Sequence, residues 1–492
     1  MKVSNCIPKR HILAAVGHFV CLLAYILRFN FGIALAVMVE KPDNIGGKRT
    51  ISTSQCPVRS NSSFLNSTIQ KPPSEFKWSE KEKGFLSSGF FHGYVPALLL
   101  SSLLISKYSH KWIVGIGLFV TSVFTLVTPL AAKRSFSVLY CVRLLLGCAQ
   151  GLSLPAVHGV LGRWSPTAEK SIISGIVFSG LQNGSGFAMI FGGLICKKLG
   201  WPSIFYVFGG AGVVAATFWI FFVYDSPCEH PSISEEEKLY ILSSHNTEVS
   251  RTSETSNDNV PWLDMLLSLP VWAISAFCFT HDWITYLILT DIPTYFRNVY
   301  NVGIENNGLL SGFPFLIATV TEIMGGYLAD YIISRGVSTT KTRNVLFAVC
   351  TFVTGVLMIL FGFIGCNMVW LMATSLFLAI TIFNFKTSCI YASILDVSPK
   401  YAGILWAGTS FIGNIAGAIT PIVTGFLTDG HPTQYYYRIV FIIAAVVGAF
   451  GAIFFCIFFS GEEQRWNRSG LEEKDDESPL LEAMYLTEED ST

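Results

Sequence analysis

From Ile12 to Val39 the chain reads ILAAVGHFVCLLAYILRFNFGIALAVMV, an apolar run long enough to cross a hydrocarbon layer of about 30 Å at about 1.5 Å per residue. The rest of the sequence supports a membrane span here. Of 492 residues, 51% are hydrophobic and 13% charged, whereas a soluble domain carries about 25% charged residues. The chain lacks the polar surface of a soluble protein and reads as a polytopic membrane protein embedded in a lipid bilayer. A formal net charge of zero offers nothing to nucleic acid. Inside the run stands Arg28, with Asn30 two residues on. A guanidinium within a bilayer costs at least about 2.5–3.5 kcal/mol, so this one must face protein or a wet cavity. It is either a ligand, a structural partner for another helix, or a snorkelling anchor.

Eleven more apolar runs follow, at about 83–105, 112–131, 136–160, 171–195, 203–224, 267–296, 308–333, 344–365, 369–395, 403–428 and 438–460. The expected fold is an all-α membrane protein with twelve transmembrane helices in two six-helix bundles, 12–224 and 267–460. The basic N-terminal flank resembles that of a signal peptide. The run behind it is too long and lacks a small-residue cleavage site, so it reads as a retained first span. The polar stretch 40–78 holds two glycosylation sequons, at Asn61 and Asn66, and reads as a luminal loop. Residues 1–11 then lie in the cytosol, with a cytosolic linker at 225–266 and a disordered cytosolic tail at 461–492. Basic residues agree with that sidedness only in part. In the linker, Ser234 ahead of three glutamates predicts a capped amphipathic helix.

Polar side chains recur in the runs that would line a central cavity: His92 and Tyr94, then Arg143, Gln150 and His158, then His281, Asp282 and Tyr286, then Glu322 and Lys386. Arg143 and Gln150 are two helical turns apart and share a face. Two arginines with no balancing acid in the first half suggest a cavity that takes an anion, since the planar guanidinium fork fits carboxylate or phosphate. The plainer readings are Arg143 as an interfacial anchor, His158 as a packed histidine, Asp282 paired with His281 or Lys386, and the tyrosines as core aromatics. The cysteines show no ligand spacing, and no metal or cofactor is expected. No HExxH, GxSxG, GxGxxG or GxxxxGK[ST] stretch argues for an enzyme. Two halves with polar groups near the midplane predict a secondary transporter working by alternating access. An anion channel and a non-transporting anion sensor remain as alternatives.

Stretches along nearly the whole chain, among them RFNFGIALAVMV, SSGFFHGY, GWPSIFYVFG, HPSISEEEKLYILSS, DWITYLILTDIPTYF and LDVSPKYAGIL, resemble the anion:cation symporter family of the major facilitator superfamily. That family holds sialin, the vesicular glutamate transporters and the renal sodium-phosphate transporters, and the likeness is greatest to sialin-like members. The resemblance implies a carrier of small organic or inorganic anions such as sialic acid, acidic amino acids, phosphate or urate-like species. It implies Arg28, Asn30, Tyr94, Arg143, Tyr286 and Ser393 as substrate-binding residues, with co-transported H+ or Na+, or membrane potential, as the drive. The departures bear on that drive. Gln150 stands where sialin and the glutamate transporters carry a glutamate, and a neutral amide takes up no proton. Gln150, His281, Asp282, Glu322 and Lys386 are the coupling candidates, and Glu322, Lys386 and Asp291 fall where the relatives look apolar.

The acidic tail contains Asp476 four residues before the pair Leu480 and Leu481, the form of an acidic dileucine sorting signal. It predicts recognition by clathrin adaptors and an endosomal, lysosomal or other vesicle membrane, with the plasma membrane as the alternative.

Overall fold

The computed structural model describes residues 8–39, 75–166, 169–252, 261–365, 368–387, 393–394, 396–398 and 401–467. The sequons at Asn61 and Asn66 and the tail motif at Asp476, Leu480 and Leu481 lie outside these residues.

The first half contains α1 (Lys9–Met38), α2 (Glu80–Lys107), α3 (His110–Arg134), α4 (Phe136–Trp164), α5 (Lys170–Leu199) and α6 (Trp201–Phe222). The linker holds α7 (Glu235–Thr252) and α8 (Trp262–Leu267). The second half begins with α9 (Leu269–Tyr286), which runs through a π turn, Leu287–Asp291, into α10 (Ile292–Val299). Then come α11 (Ile304–Ser334), α12 (Thr339–Phe361), α13 (Val369–Phe385), α14 (Ala402–Thr428) and α15 (Gln434–Phe458).

Among the described residues, eight helices (α1, α3, α4, α6, α11, α12, α14 and α15) are long and apolar enough to cross a membrane, and α13 is a shorter apolar helix. Three more complete the twelve: α2 and α5, which carry polar residues inward, and the broken α9–α10. Large apolar side chains such as Ile116, Phe119, Leu130, Phe218 and Phe450 stand exposed on the outer surface. In water that surface would be costly, and in lipid it is the expected solvent face.

Local chemistry sets the helix ends. Ser79 and Glu82 form a reciprocal capping box at the start of α2, with Glu82 N donating to Ser79 Oγ at 3.2 Å and Ser79 N to Glu82 Oε2 at 2.7 Å. Gly200, at φ 83°, stops α5 in a conformation that a side chain would oppose, and Pro202 then starts α6. Ser234 Oγ accepts from Glu237 N at 3.2 Å, so α7 starts as its acidic first turn predicts.

The packing repeats. In the first half α1 lies on α5 and α6, α2 on α4, and α3 on α4 and α6. In the second, α9 lies on α14 and α15, α11 on α13, and α12 on α13 and α15. The two halves then meet through a reciprocal pair of contacts, α2 on α14 and α5 on α11. This is the pattern of two parallel repeats related by an axis along the membrane normal.

We call the end where α1 begins the base, and the opposite end the far face. At the far face the halves are pressed together. A Cβ on Gly84 would lie 2.4 Å from Pro421 O, and one on Gly425 2.6 Å from Glu80 O. Ion pairs Lys81–Asp429, at 3.0 Å, and Lys197–Glu305 span the same seam. Nearer the base the seam is polar and uncharged: Gln182 donates to Asn384 at 3.0 Å, Thr319 to Asn183 at 3.2 Å, and His158 stands 5.0 Å from Trp406.

Candidate functional site

Arg28 is 2% exposed and sits midway along the boundary between the halves. Its Nη2 donates to Tyr286 OH at 2.8 Å and to Asn414 Oδ1 at 3.0 Å, while Tyr286 OH donates to the same Asn414 oxygen at 2.7 Å. Six rings, those of Tyr25, Phe29, Phe90, Phe91, Tyr94 and Tyr286, lie between 4.5 and 5.4 Å from its Cζ. Each such contact is worth about 0.5–2 kcal/mol, so the aromatic cage offsets much of the cost of burying the charge. Among the described residues Arg28 makes no ion pair, and its Nε has no hydrogen-bond partner. The guanidinium is sheltered rather than neutralised.

Arg143, on α4, is buried beside it. Its Cζ lies 4.3 Å from the centre of Phe31 and 5.5 Å from that of Phe90. Phe90 therefore has a guanidinium against it from each arginine. Among the described residues Arg143 makes no ion pair, and its Nε is also without a partner. The two arginines line one gap together with Ser87, Gly32, Thr290 and phenylalanine walls, with room for about one water. Like charges in a low-dielectric site repel, and an anion placed between them turns that repulsion into attraction. The backbone is shaped for it. The π turn after Tyr286 widens α9 where α1 crosses it, and a Cβ on Gly32 would come to 3.0 Å from Leu289 O.

Tyr94 and Tyr286 are thus in the cage. Asn414 belongs there too and was missed by sequence reasoning; the available signal was an amide inside the apolar run of α14. Asn30 and Ser393 are not among the residues lining the gap. Asn30 is buried with its Nδ2 unpartnered, and Ser393 is buried with its Oγ unpartnered, next to Ile394 in the base-side core of the second half. Gln150 Nε2 donates to Ala24 O at 2.6 Å, tying α4 to α1 away from the gap. The expectation of a His281–Asp282 pair needs correcting. Adjacent helical residues diverge by about 100°, and His281 stacks 4.6 Å from Phe383 while Asp282 Oδ2 faces Gly413 of α14. Asp282 lies one turn before Tyr286. Lys386 Nζ donates to Thr351 Oγ1 at 2.6 Å and lies 4.6 Å from both Phe347 and Phe383. It is therefore held in the second bundle, not in the arginine gap. Glu322, one turn from the seam residue Thr319, makes no ion pair among the described residues. Asp396 pairs with Arg343 at 3.2 Å near the base. His158 stacks on Phe178 at 4.2 Å, the packed histidine of the plainer reading.

Two matched six-helix bundles closing on a buried, unneutralised cationic site form the architecture of a membrane carrier. Residues 18–419 match the profile of the Major Facilitator Superfamily. Sialin of Ovis aries is 34% identical over 462 residues, which cover 94% of this chain and 91% of sialin. Vesicular glutamate transporter 3 of Danio rerio is 32% identical over 461 residues, covering 94% of this chain and 74% of that protein. Among solved structures, a bacterial homolog to the human lysosomal transporter Spinster, inward-facing and occupied, superposes with a TM-score of 0.68. It is 13% identical, with 92% of this chain and 97% of that one covered. A D-xylose-proton symporter gives a TM-score of 0.66 at 11% identity, with 92% and 98% covered. At these identities the solved structures speak to the fold alone. The chain belongs to the major facilitator superfamily, in the anion:cation symporter family with sialin and the vesicular glutamate transporters. It is a multi-pass membrane transporter of small anions, not an enzyme.

Proposed function

We propose that the gap between Arg28 and Arg143 receives the anionic head of the substrate, and that the two bundles rock around it to expose it alternately to each side. The observation that carries this is the pair of buried guanidiniums, both from the first bundle, facing one gap without a carboxylate. The second bundle closes over them with Tyr286 and Asn414. A carboxylate or phosphate supplies the missing acceptors and draws the bundles together, so binding and movement are linked. The names of the relatives favour a carboxylate such as sialic acid or an acidic amino acid, and phosphate and urate-like anions belong in the same test. By the sequon argument the base faces the cytosol and the far face the lumen. A lysosomal or other vesicle membrane fits the kinship with sialin, with clathrin adaptors reading the motif at Asp476, Leu480 and Leu481. The drive is H+, Na+ or membrane potential; of the coupling candidates, Asp282 lies one turn before the cage residue Tyr286 on α9.

The test is uptake into proteoliposomes against a panel of these anions, with counter-flow. Saturable exchange that is abolished in Arg28→Gln supports the carrier. Unsaturable flux would make it a channel, and binding without flux would make it a sensor.

A further inference from the structure

Ser87 of α2 and Thr290 of the π turn line the arginine gap and also a second gap nearer the far face. That second gap lies between the halves and contains two carboxylates, from Glu80 and Asp291. Glu80 is already answered, since Lys83 Nζ lies 2.7 Å away and Asn298 Nδ2 3.3 Å away. Among the described residues Asp291 makes no ion pair. Its Oδ2 accepts from Thr290 Oγ1 at 3.1 Å, and the Thr424 hydroxyl is its second partner. Two further hydroxyls on this gap belong to Ser87 and Thr294, which are 6% and 8% exposed. Neither makes a hydrogen bond among the described residues. Hydroxyl and carboxylate oxygens around a space for about one water suit a small hard cation and exclude any organic substrate.

We propose that Asp291 is the binding site of a small coupling cation, a sodium ion or a proton, with Ser87, Thr294 and Thr424 as its oxygen neighbours. The proposal deepens the anion-carrier reading and rests on it. Its oxygens come from both bundles, Ser87 from the first and the others from the second. The cation is therefore fully enclosed only when the far face is shut, which couples its binding to closure. Its charge also sits one wall away from the anion between the arginines, so each ion favours the other. The other ionisable groups lining this gap are Glu80 and Lys83 from α2 and Tyr437 from α15, and Arg297 of α10 interacts with Glu80. The α14 residues lining it carry no ionisable side chain, and Asp429, just past the end of α14, is held by Lys81. From α1 only Leu35 lines the gap.

The experiment uses the full-length protein in phosphatidylcholine nanodiscs with no anionic substrate. Melting temperatures are compared in sodium chloride and choline chloride, and at about pH 7.5 and about pH 5.5. The wild type is expected to melt a few degrees higher in sodium, or at the acid pH. That shift is lost in Asp291→Asn and kept in Asp282→Asn. A sodium-specific shift identifies sodium, and a shift with acid alone identifies the proton. Should Asp291→Asn fail to fold, the doubly substituted Ser87→Ala/Thr294→Val protein carries the test. Its sodium dependence should move to at least about 10-fold higher concentration, or its acid shift should shrink. No shift in the wild type, or one that survives in these variants, overturns the proposal. Because no anion is present, that failure leaves the carrier reading standing. A cation shift without anion counter-flow would sink the carrier reading instead.

Discussion

Arg28 on α1 donates to the hydroxyl of Tyr286 on α9 at 2.8 Å, a bond between positions 258 residues apart that joins the two bundles at the candidate site. A hydrogen bond to a charged group is worth about 1.5–3 kcal/mol, or roughly 10- to 150-fold in an equilibrium. Tyr286→Phe keeps the ring against the guanidinium and removes only the hydroxyl. It is expected to lower kcat/KM for counter-flow by about 10-fold. Arg28→Lys replaces the planar fork with a point charge and should cost more than Tyr286→Phe, at least about 30-fold. Initial rates in proteoliposomes measure both. A fully active Arg28→Lys would remove the anion from this site.

The far-face seam predicts a conformational variant. A valine at Gly84 puts a Cβ 2.4 Å from Pro421 O, a backbone atom that cannot step aside. The clash should part α2 from α14 and favour the state open to the far face, at an overpacking cost of about 1–3 kcal/mol. A Thr428→Cys reporter should then react with an impermeant maleimide at least about 5-fold faster in Gly84→Val than in the parent, over the background of native cysteines. Equal rates would mean that the seam is not the gate.

Gln150 gives a prediction opposite to intuition. Restoring the glutamate of the relatives, Gln150→Glu, does not simply restore a proton site. The amide nitrogen donates to Ala24 O at 2.6 Å, and a carboxylate there would set acceptor against acceptor. The expected result is a loss of about 1–3 kcal/mol in stability, read as a lower melting temperature at neutral pH. Gln150→Glu that melts with the wild type at neutral pH would contradict the bond.

At the base, Arg10 clips three elements. Its guanidinium donates to Glu169 at 2.8 Å and to Glu237 at 3.1 Å, and Glu237 also accepts from the backbone of Lys9 and Arg10 at the start of α1. The hydrogen bond from Arg10 holds the Glu169 carboxyl below its usual range. A carboxylate depressed in the folded protein adds stability that is complete above its unfolded value, here 4.5, and is lost as pH falls through the folded value. The small melting difference between wild type and Glu169→Gln should therefore stay constant from about pH 7 down to about pH 5, then vanish on further acidification.

What could be read in one dimension was whatever carries its own energetic signature. Arg28 stood out because a charge in an apolar run is costly wherever the chain goes, and the twelve runs stood out because lipid requires them. Asn414 did not, because an amide in a helix can bond its own preceding turn, as its Nδ2 does to Ser410 O at 2.9 Å, and so announces no distant partner. The π turn at Leu287–Asp291 has no mark in the letters LILTD; it lies where the chain from α9 to α10 packs against α1. Gln150 looked like a cavity residue from its spacing to Arg143, and only packing reveals that it turns to Ala24 instead. The separation of His281 from Asp282 is likewise decided by neighbouring helices, one offering an aromatic stack and the other a glycine.

Asn414 has one more consequence. Its side-chain oxygen accepts from Arg28 Nη2 at 3.0 Å and from the Tyr286 hydroxyl at 2.7 Å, and on the proposed reading it is the neutral acceptor that an anion bound to Arg28 would compete with. On that reading the protein keeps a neutral placeholder beside the seat of its cargo. Arrival becomes a swap of one acceptor for another, which tempers affinity and hastens release. It also lets the empty protein reset: with the placeholder in position, the arginine need not face a bare interior on the return half of the cycle.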